Sequence, residues 1–200
     1  MSSFLDFLMT PTSNPRRSFL TSSGIMLSGA AVALLAGNEA LAADPKAAPK
    51  ATGGSPDNDV QILNTALGAE LEAIAAYQLG AESKLLTDKA VLGLALTFQG
   101  HHKEHAKLLS DTIAKLGGKP VAAKAKYDFP TDKLKAQADV LRFAASLEQG
   151  AVSAYLGAVP LFANKDLAKA AASILGDEAM HWAVLRNALG EAPVPSAFVS

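Results

Sequence analysis

The chain has 200 residues, a formal net charge of −1 and no Cys; half of it is apolar and only 6% is aromatic. A near-neutral balance without a basic stretch gives no electrostatic reason to expect nucleic acid, and the lack of Cys excludes disulfides, thiolate metal sites and a Cys nucleophile. The Ala-rich, aromatic-poor mix favours packed helices over a β-sandwich, and the length suffices for one domain with a core.

In chain order the first segment reads as an address. Arg16-Arg17-Ser18-Phe19-Leu20 stands before an apolar run from Gly24 to Gly37, followed by the small-x-small sequence Ala40-Leu41-Ala42. Charged region, short apolar region and cleavage site make a secretory signal over residues 1–42. Its paired arginines resemble the twin-arginine export signal, which implies the twin-arginine export machinery as a partner and a periplasmic or otherwise exported location. Substrates of that route cross the membrane folded, often with a cofactor already loaded. The alternative is a membrane anchor, but an apolar run of about 14 residues is short of the roughly 20 that span a bilayer, so no stable span is expected after cleavage. Residues 1–42 carry Asp6, Arg16, Arg17 and Glu39, so their removal leaves the net charge at −1. Residues 43–57, rich in Pro, Ala, Lys and Gly without an apolar period, read as a flexible linker.

Helical periodicity begins at Asp59 and predicts four helices, over 58–83, 88–117, 132–158 and 164–189. Asp57 to Asp59 and Thr131–Asp132 are candidate N-caps; Gly117–Gly118 and Gly190 are candidate stops. The first and last connections are short and force antiparallel hairpins. The middle one, from Gly118 to Thr131 with Pro120 and Pro130, is long enough to cross the length of a bundle. The fold class is therefore all-α, a four-helix bundle over 58–190 with a long crossover between helices two and three. The tail 191–200, with Pro193 and Pro195, cannot continue the last helix.

The residues that break the apolar stripes carry the chemistry. In helix one the inward stripe is Leu63, Leu67, Glu70, Ile74 and Tyr77, while Glu72 is rotated toward solvent. Helix three repeats it: Leu141, Ala144, Glu148, Ala151, Val152, Tyr155. Helix two has Ala95, Phe98, His102, His105, Leu109, Thr112 and Leu116, and helix four has Ala171, Ile174, Glu178, His181, Leu185 and Ala188. Placing 70 on 148 aligns Ala66, Ala73 and Ala76 with Ala144, Ala151 and Ala154. Placing 102 on 178 aligns His105 with His181 and His101 with Asp177. Each half of the chain thus supplies one inward Glu and then an inward i, i+3 pair. No Lys or Arg occurs in any of the stripes, and burying unpaired carboxylates costs several kcal/mol each. Divalent cations remove that cost. Carboxylate and imidazole donors suit iron, manganese or zinc. The candidate metal ligands are Glu70, His102, His105, Glu148, Glu178 and His181.

A Glu from each of two helices with Glu-x-x-His from each of the other two is the di-iron and di-manganese carboxylate pattern. The sequence resembles the ferritin-like superfamily. Within it, Ile62-Leu63-Asn64-x-Ala66-Leu67-x-x-Glu70 and Pro193-Val194-Pro195-Ser196-Ala197-Phe198 are similar to the exported branch of bacterial twin-arginine ferritin-like proteins and plant desiccation-related proteins. The departure is His102, which stands where the family usually has a Glu that bridges the two metals. That leaves three carboxylates against the +4 of two divalent ions. A hydroxide bridge or help from Asp177 would compensate; otherwise the site is mononuclear, weakly dinuclear or selective for another metal. His101 is either an extra ligand or a boundary residue. Tyr77 and Tyr155 are either hydrogen-bond donors or redox relays near the centre, or core packing, as Trp182 is.

Three functions fit this reading. The first is an exported redox metalloprotein with oxidase, peroxidase or catalase-like activity in a stress role. The second is a metal-binding or storage protein without turnover. The third is a structural stress-protection bundle that has lost a full dinuclear site. A homo-oligomer is compatible with each. There is no Gly-rich phosphate loop, no Gly-x-Ser-x-Gly elbow and no His-Glu-x-x-His motif: in His101 to His105 a second His follows the first, where that motif needs Glu.

Overall fold

A computed structural model describes residues 55–199; the residues read as export signal and most of the expected linker lie outside them. Four helices follow in order: α1 Pro56–Glu82, α2 Lys89–Lys115, α3 Gln137–Ala158 and α4 Lys165–Ala188, with short 3₁₀ turns at Thr131–Lys133 and Val159–Leu161. There is no strand among the described residues, and no described helix is long and apolar enough to cross a membrane.

Helix starts follow capping chemistry, in two places differently from the expectation. Ser55, not Asp57 or Asp59, caps α1 by accepting from Asn58 N, and Pro56 supplies the preset first turn. Asp59 is buried and reaches 104 residues along the chain, where its carboxylate accepts from Ala163 N and, a residue further on, from Asn164 N. It thereby ties the start of α1 to the α3–α4 turn. Helix α3 starts at Gln137 rather than 132, because the Asp139 carboxylate accepts from the N–H groups of Lys135 and Ala136 and defines the helix entrance there. The expected stops hold. Gly117 and Gly190 take positive φ, 80° and 75°, and let the next residue's N–H reach back five residues, Gly118 to Ile113 O and Glu191 to Arg186 O.

The two hairpins, α1–α2 and α3–α4, pack face to face. The link between them leaves α2 beside the start of α1, where Asn64 Nδ2 donates to Lys119 O and Asn64 Oδ1 accepts from Val121 N. It ends beside the α1–α2 turn, where Gln137 Oε1 accepts from Asp88 N. The crossover therefore runs the length of the bundle, as the long middle segment requires. Along it Tyr127 stacks on Phe129, which meets Phe143 edge-on.

Most stripe residues are buried, but the stripes drift at helix ends. Leu116 is 44% exposed and Ile113 takes its place in the core at 0%. Ile113 lies eleven residues after His102, close to three full turns, whereas seven-residue steps lag by about 20° each. Ala188 is exposed for the same reason. Two apolar clusters result, one around Leu63, Leu67, Ile113, Phe162 and Ile174, the other around Tyr77, Phe98, Leu141 and Leu185. The polar centre lies between them.

Candidate metal centre

All six expected ligands converge, and they do so as two overlapping groups. Glu70 (α1), His102 and His105 (α2) and Glu178 (α4) form one; His102, Glu148 (α3), Glu178 and His181 (α4) form the other. Within each group the donor atoms lie within 4.8 Å of one another. Glu178 divides its oxygens between the groups: Oε1 is 3.1 Å from His105 Nδ1, and Oε2 is 3.4 Å from His181 Nδ1. His102 divides its ring in the same way, with Nδ1 2.8 Å from Glu70 Oε2 and Nε2 3.3 Å from Glu148 Oε1.

Two tyrosines strap the ring from outside. Tyr77 O–H donates to Glu148 Oε1, and Tyr155 O–H donates to Glu70 Oε1 at 2.6 Å. Because α1 and α3 run antiparallel, residues seven apart on each helix meet crosswise, so each helix's Tyr serves the other helix's Glu. Phe98 stacks on the His181 ring at 3.9 Å between centroids and closes the apolar side. The opposite side is open. A cleft between α1 and α3 with room of about 60 Å³ has Glu70, His102 and Glu148 at its base. Ala69, Ala73, Gly150 and Ala151 wall it, too small to fill the gap, and Glu72 lies at its rim, half-buried rather than free in solvent.

The electrostatics are those of mutual support. Burial pushes the Glu70 and Glu148 carboxyls up, but the facing imidazoles, His102 and His105 beside Glu70 and His102 and His181 beside Glu148, outweigh it and hold both below the usual carboxylate range. Burial likewise pushes the imidazoles down. The facing carboxylates win, raising His102 to about 11 and His105 and His181 to about 9. Both tyrosines are raised well above 10 by burial and by the Glu each serves, so they remain neutral donors. Full protonation of three imidazoles against three carboxylates gives a neutral core, which tolerates burial without an ion.

That proton-balanced state leaves hydrogen-bonding capacity unused. His105 Nδ1, Glu148 Oε2, both oxygens of Glu178 and His181 Nδ1 are buried without a hydrogen-bond partner. All of these atoms point into the centre. Buried polar atoms without partners are uncommon and costly, and a group that collects carboxylate oxygens and imidazole nitrogens in one place fits a divalent cation. The residues present thus suit the ions expected from the sequence.

The Ferritin-like domain family profile matches residues 58–191, and the chain belongs to that family. Solved structures show the same fold. A conserved hypothetical protein from Mycobacterium tuberculosis superposes with a TM-score of 0.62 at 23% identity, over 72% of this chain and 99% of that one. A mycobacterial bacterioferritin gives 0.60 at 21%, over 70% and 86%. A ferritin-like diiron-carboxylate protein from Bacillus anthracis str. Ames gives 0.54 at 19%, over 66% and 97%. No match was found among curated proteins at the level of sequence.

The periodicity puts these six residues on inward stripes, and the fold brings them together. It did not identify the tyrosines' partners: spacing along one helix fixes a face but not what lies opposite. The signal that finds them is the repeat itself, a Tyr seven residues after each inward Glu in two antiparallel helices.

Proposed function

We propose that this chain is an exported ferritin-like protein that holds iron or manganese, two ions when fully loaded, between Glu70, His102, His105, Glu148, Glu178 and His181. The observation that carries the reading is the set of partnerless buried oxygens and nitrogens, all facing one centre. Glu178, with one oxygen toward each group, would hold both ions, and Glu70 and Glu148, each steadied by a tyrosine, would hold one each. Bound there, such ions supply one-electron chemistry with oxygen or peroxide, which suits an oxidase, peroxidase or catalase-like stress role. The chain's own part is to hold the donors in place, keep water off the Phe98 side and admit small molecules through the α1–α3 cleft.

A second reading has its own support. His102, raised to about 11 and in contact with two glutamates, is a cation already in place. A core balanced by its own protons is a metal-free structural bundle. Metal analysis of protein purified without added metal separates the two. Iron or manganese that disappears in Glu148→Ala and persists in Glu104→Ala, on the exposed side of α2, supports the first. Equal metal content in the two variants, or none after reconstitution, supports the second.

Export belongs to the same proposal, supported by the paired Arg16 and Arg17 before the apolar run. Replacing both with Lys should leave the protein in the cytoplasmic fraction; unchanged fractionation refutes that route.

A further inference from the structure

Outside the inner ring a second set of donors converges. His101 Nδ1 lies 3.0 Å from Asp177 Oδ2 and 2.9 Å from His181 Nε2, and His181 Nε2 lies 3.3 Å from the same oxygen. Hydrogen bonds account for this triangle poorly. A ring nitrogen carries at most one proton and aims it at one acceptor. Here His105 Nε2 also approaches Asp177 Oδ2, at 3.3 Å, so three ring nitrogens crowd one oxygen while two of them touch each other. A cation accounts for it better. Donors held at about 2.05 Å from one ion, with angles of about 90–110° between them, are about 2.9–3.4 Å apart. The edges of 2.9, 3.0 and 3.3 Å all fall in that interval.

We propose that His101, Asp177 and the outward nitrogen of His181 form a second, solvent-facing site for a single divalent transition ion. Two imidazoles and one carboxylate occupy one face and leave the opposite positions to water. The side chains of His101 and Asp177 are 41% and 22% exposed, so a bound ion keeps part of its hydration and exchanges readily. The donor set holds more nitrogen than oxygen. It therefore takes imidazole-preferring ions such as zinc, cobalt(II), nickel, copper(II) or iron(II) and not magnesium or calcium. His181 belongs to both sites, with Nδ1 facing Glu178 and Nε2 facing Asp177. A neutral imidazole has one free lone pair, so occupancy of the outer site is linked to occupancy of the inner one.

Cobalt(II) is the probe. Equilibrium dialysis at saturating cobalt(II), with cobalt counted per chain, is run on the wild type, His101→Ala, Glu148→Ala and the double variant. His101 is half-exposed and its polar contacts are to Asp177 and His181, so its removal spares the inner carboxylates. His101→Ala should hold one ion fewer than the wild type, and the double variant one fewer than Glu148→Ala. Equal counts within both pairs overturn the outer site, whatever the inner centre binds. A His101-dependent ion that survives in Glu148→Ala supports the outer site even if the inner reading fails.

Discussion

In the α3–α4 half of the bundle, position 178 carries a carboxylate; in the α1–α2 half the matching position, 102, carries an imidazole. Both side chains are buried, and both split their polar atoms between the two ligand groups. The helices therefore deliver the same bridging geometry to either residue, and the side chain alone sets the charge. Glu178 adds a negative charge that draws cations in. His102, when protonated, adds a positive one that stands in for them. Under the proposed function, the difference teaches that this centre is poised between metal and protons.

Making the halves alike is the strongest way to break the comparison. His102→Glu restores Glu-x-x-His on both helices. It should bind two ions per chain tightly, and its metal-free form should lose about 3–5 kcal/mol, because a fourth buried carboxylate faces only two imidazoles. Chemical denaturation with and without a chelator measures both effects. No added metal uptake would show that position 102 does not control the site.

pH should separate the two states next. Folding raises His102, His105 and His181 from 6.5 to about 11, 9 and 9, so without metal their stabilisation is complete below about pH 6.5 and is lost as pH rises through 9 to 11. Glu70 and Glu148 are lowered from 4.5, so their stabilisation is present above about pH 4.5 and is lost as pH falls through their folded values. The metal-free Tm should therefore peak between about pH 4.5 and 6.5 and fall toward alkaline pH. Ion affinity should run the other way over pH 6.5 to 9, rising about tenfold per pH unit for each imidazole proton displaced. Thermal scans and cobalt titrations across this range check the opposite slopes; parallel slopes would refute the exchange of protons for metal.

The smallest effect sharpens the comparison. Tyr77→Phe and Tyr155→Phe each remove one hydrogen bond to a buried carboxylate, worth about 1.5–3 kcal/mol. If the halves are equivalent outside positions 102 and 178, the two losses match within error in urea denaturation. A large inequality would mean that the reciprocal straps are not alike.

The four inward stripes were legible because a polar residue in an apolar period stands out whatever it touches. Glu70, Glu148, Glu178 and His181 needed nothing more. What the period could not carry was anything set across the bundle: the Tyr77–Glu148 and Tyr155–Glu70 straps, and Asp59 reaching the α3–α4 turn. Leu116 was misplaced because a seven-residue step lags behind the true helical turn, and the start of α3 because Asp139, inside the helix, outcompetes Thr131 and Asp132 for the cap. His101 and Asp177 matched each other at the flanks of their stripes, but only the fold shows that they meet.

The offsets of 78 and 76 residues between the halves have a consequence for what the centre can become. A half-length polypeptide pairing with its own copy would enclose the same ring, yet symmetry would force identical side chains on both sides of the axis. Joining the halves lifts that restriction. One side can specialise for proton storage and the other for ligation, an unlike pairing that a self-matched dimer has no means to encode.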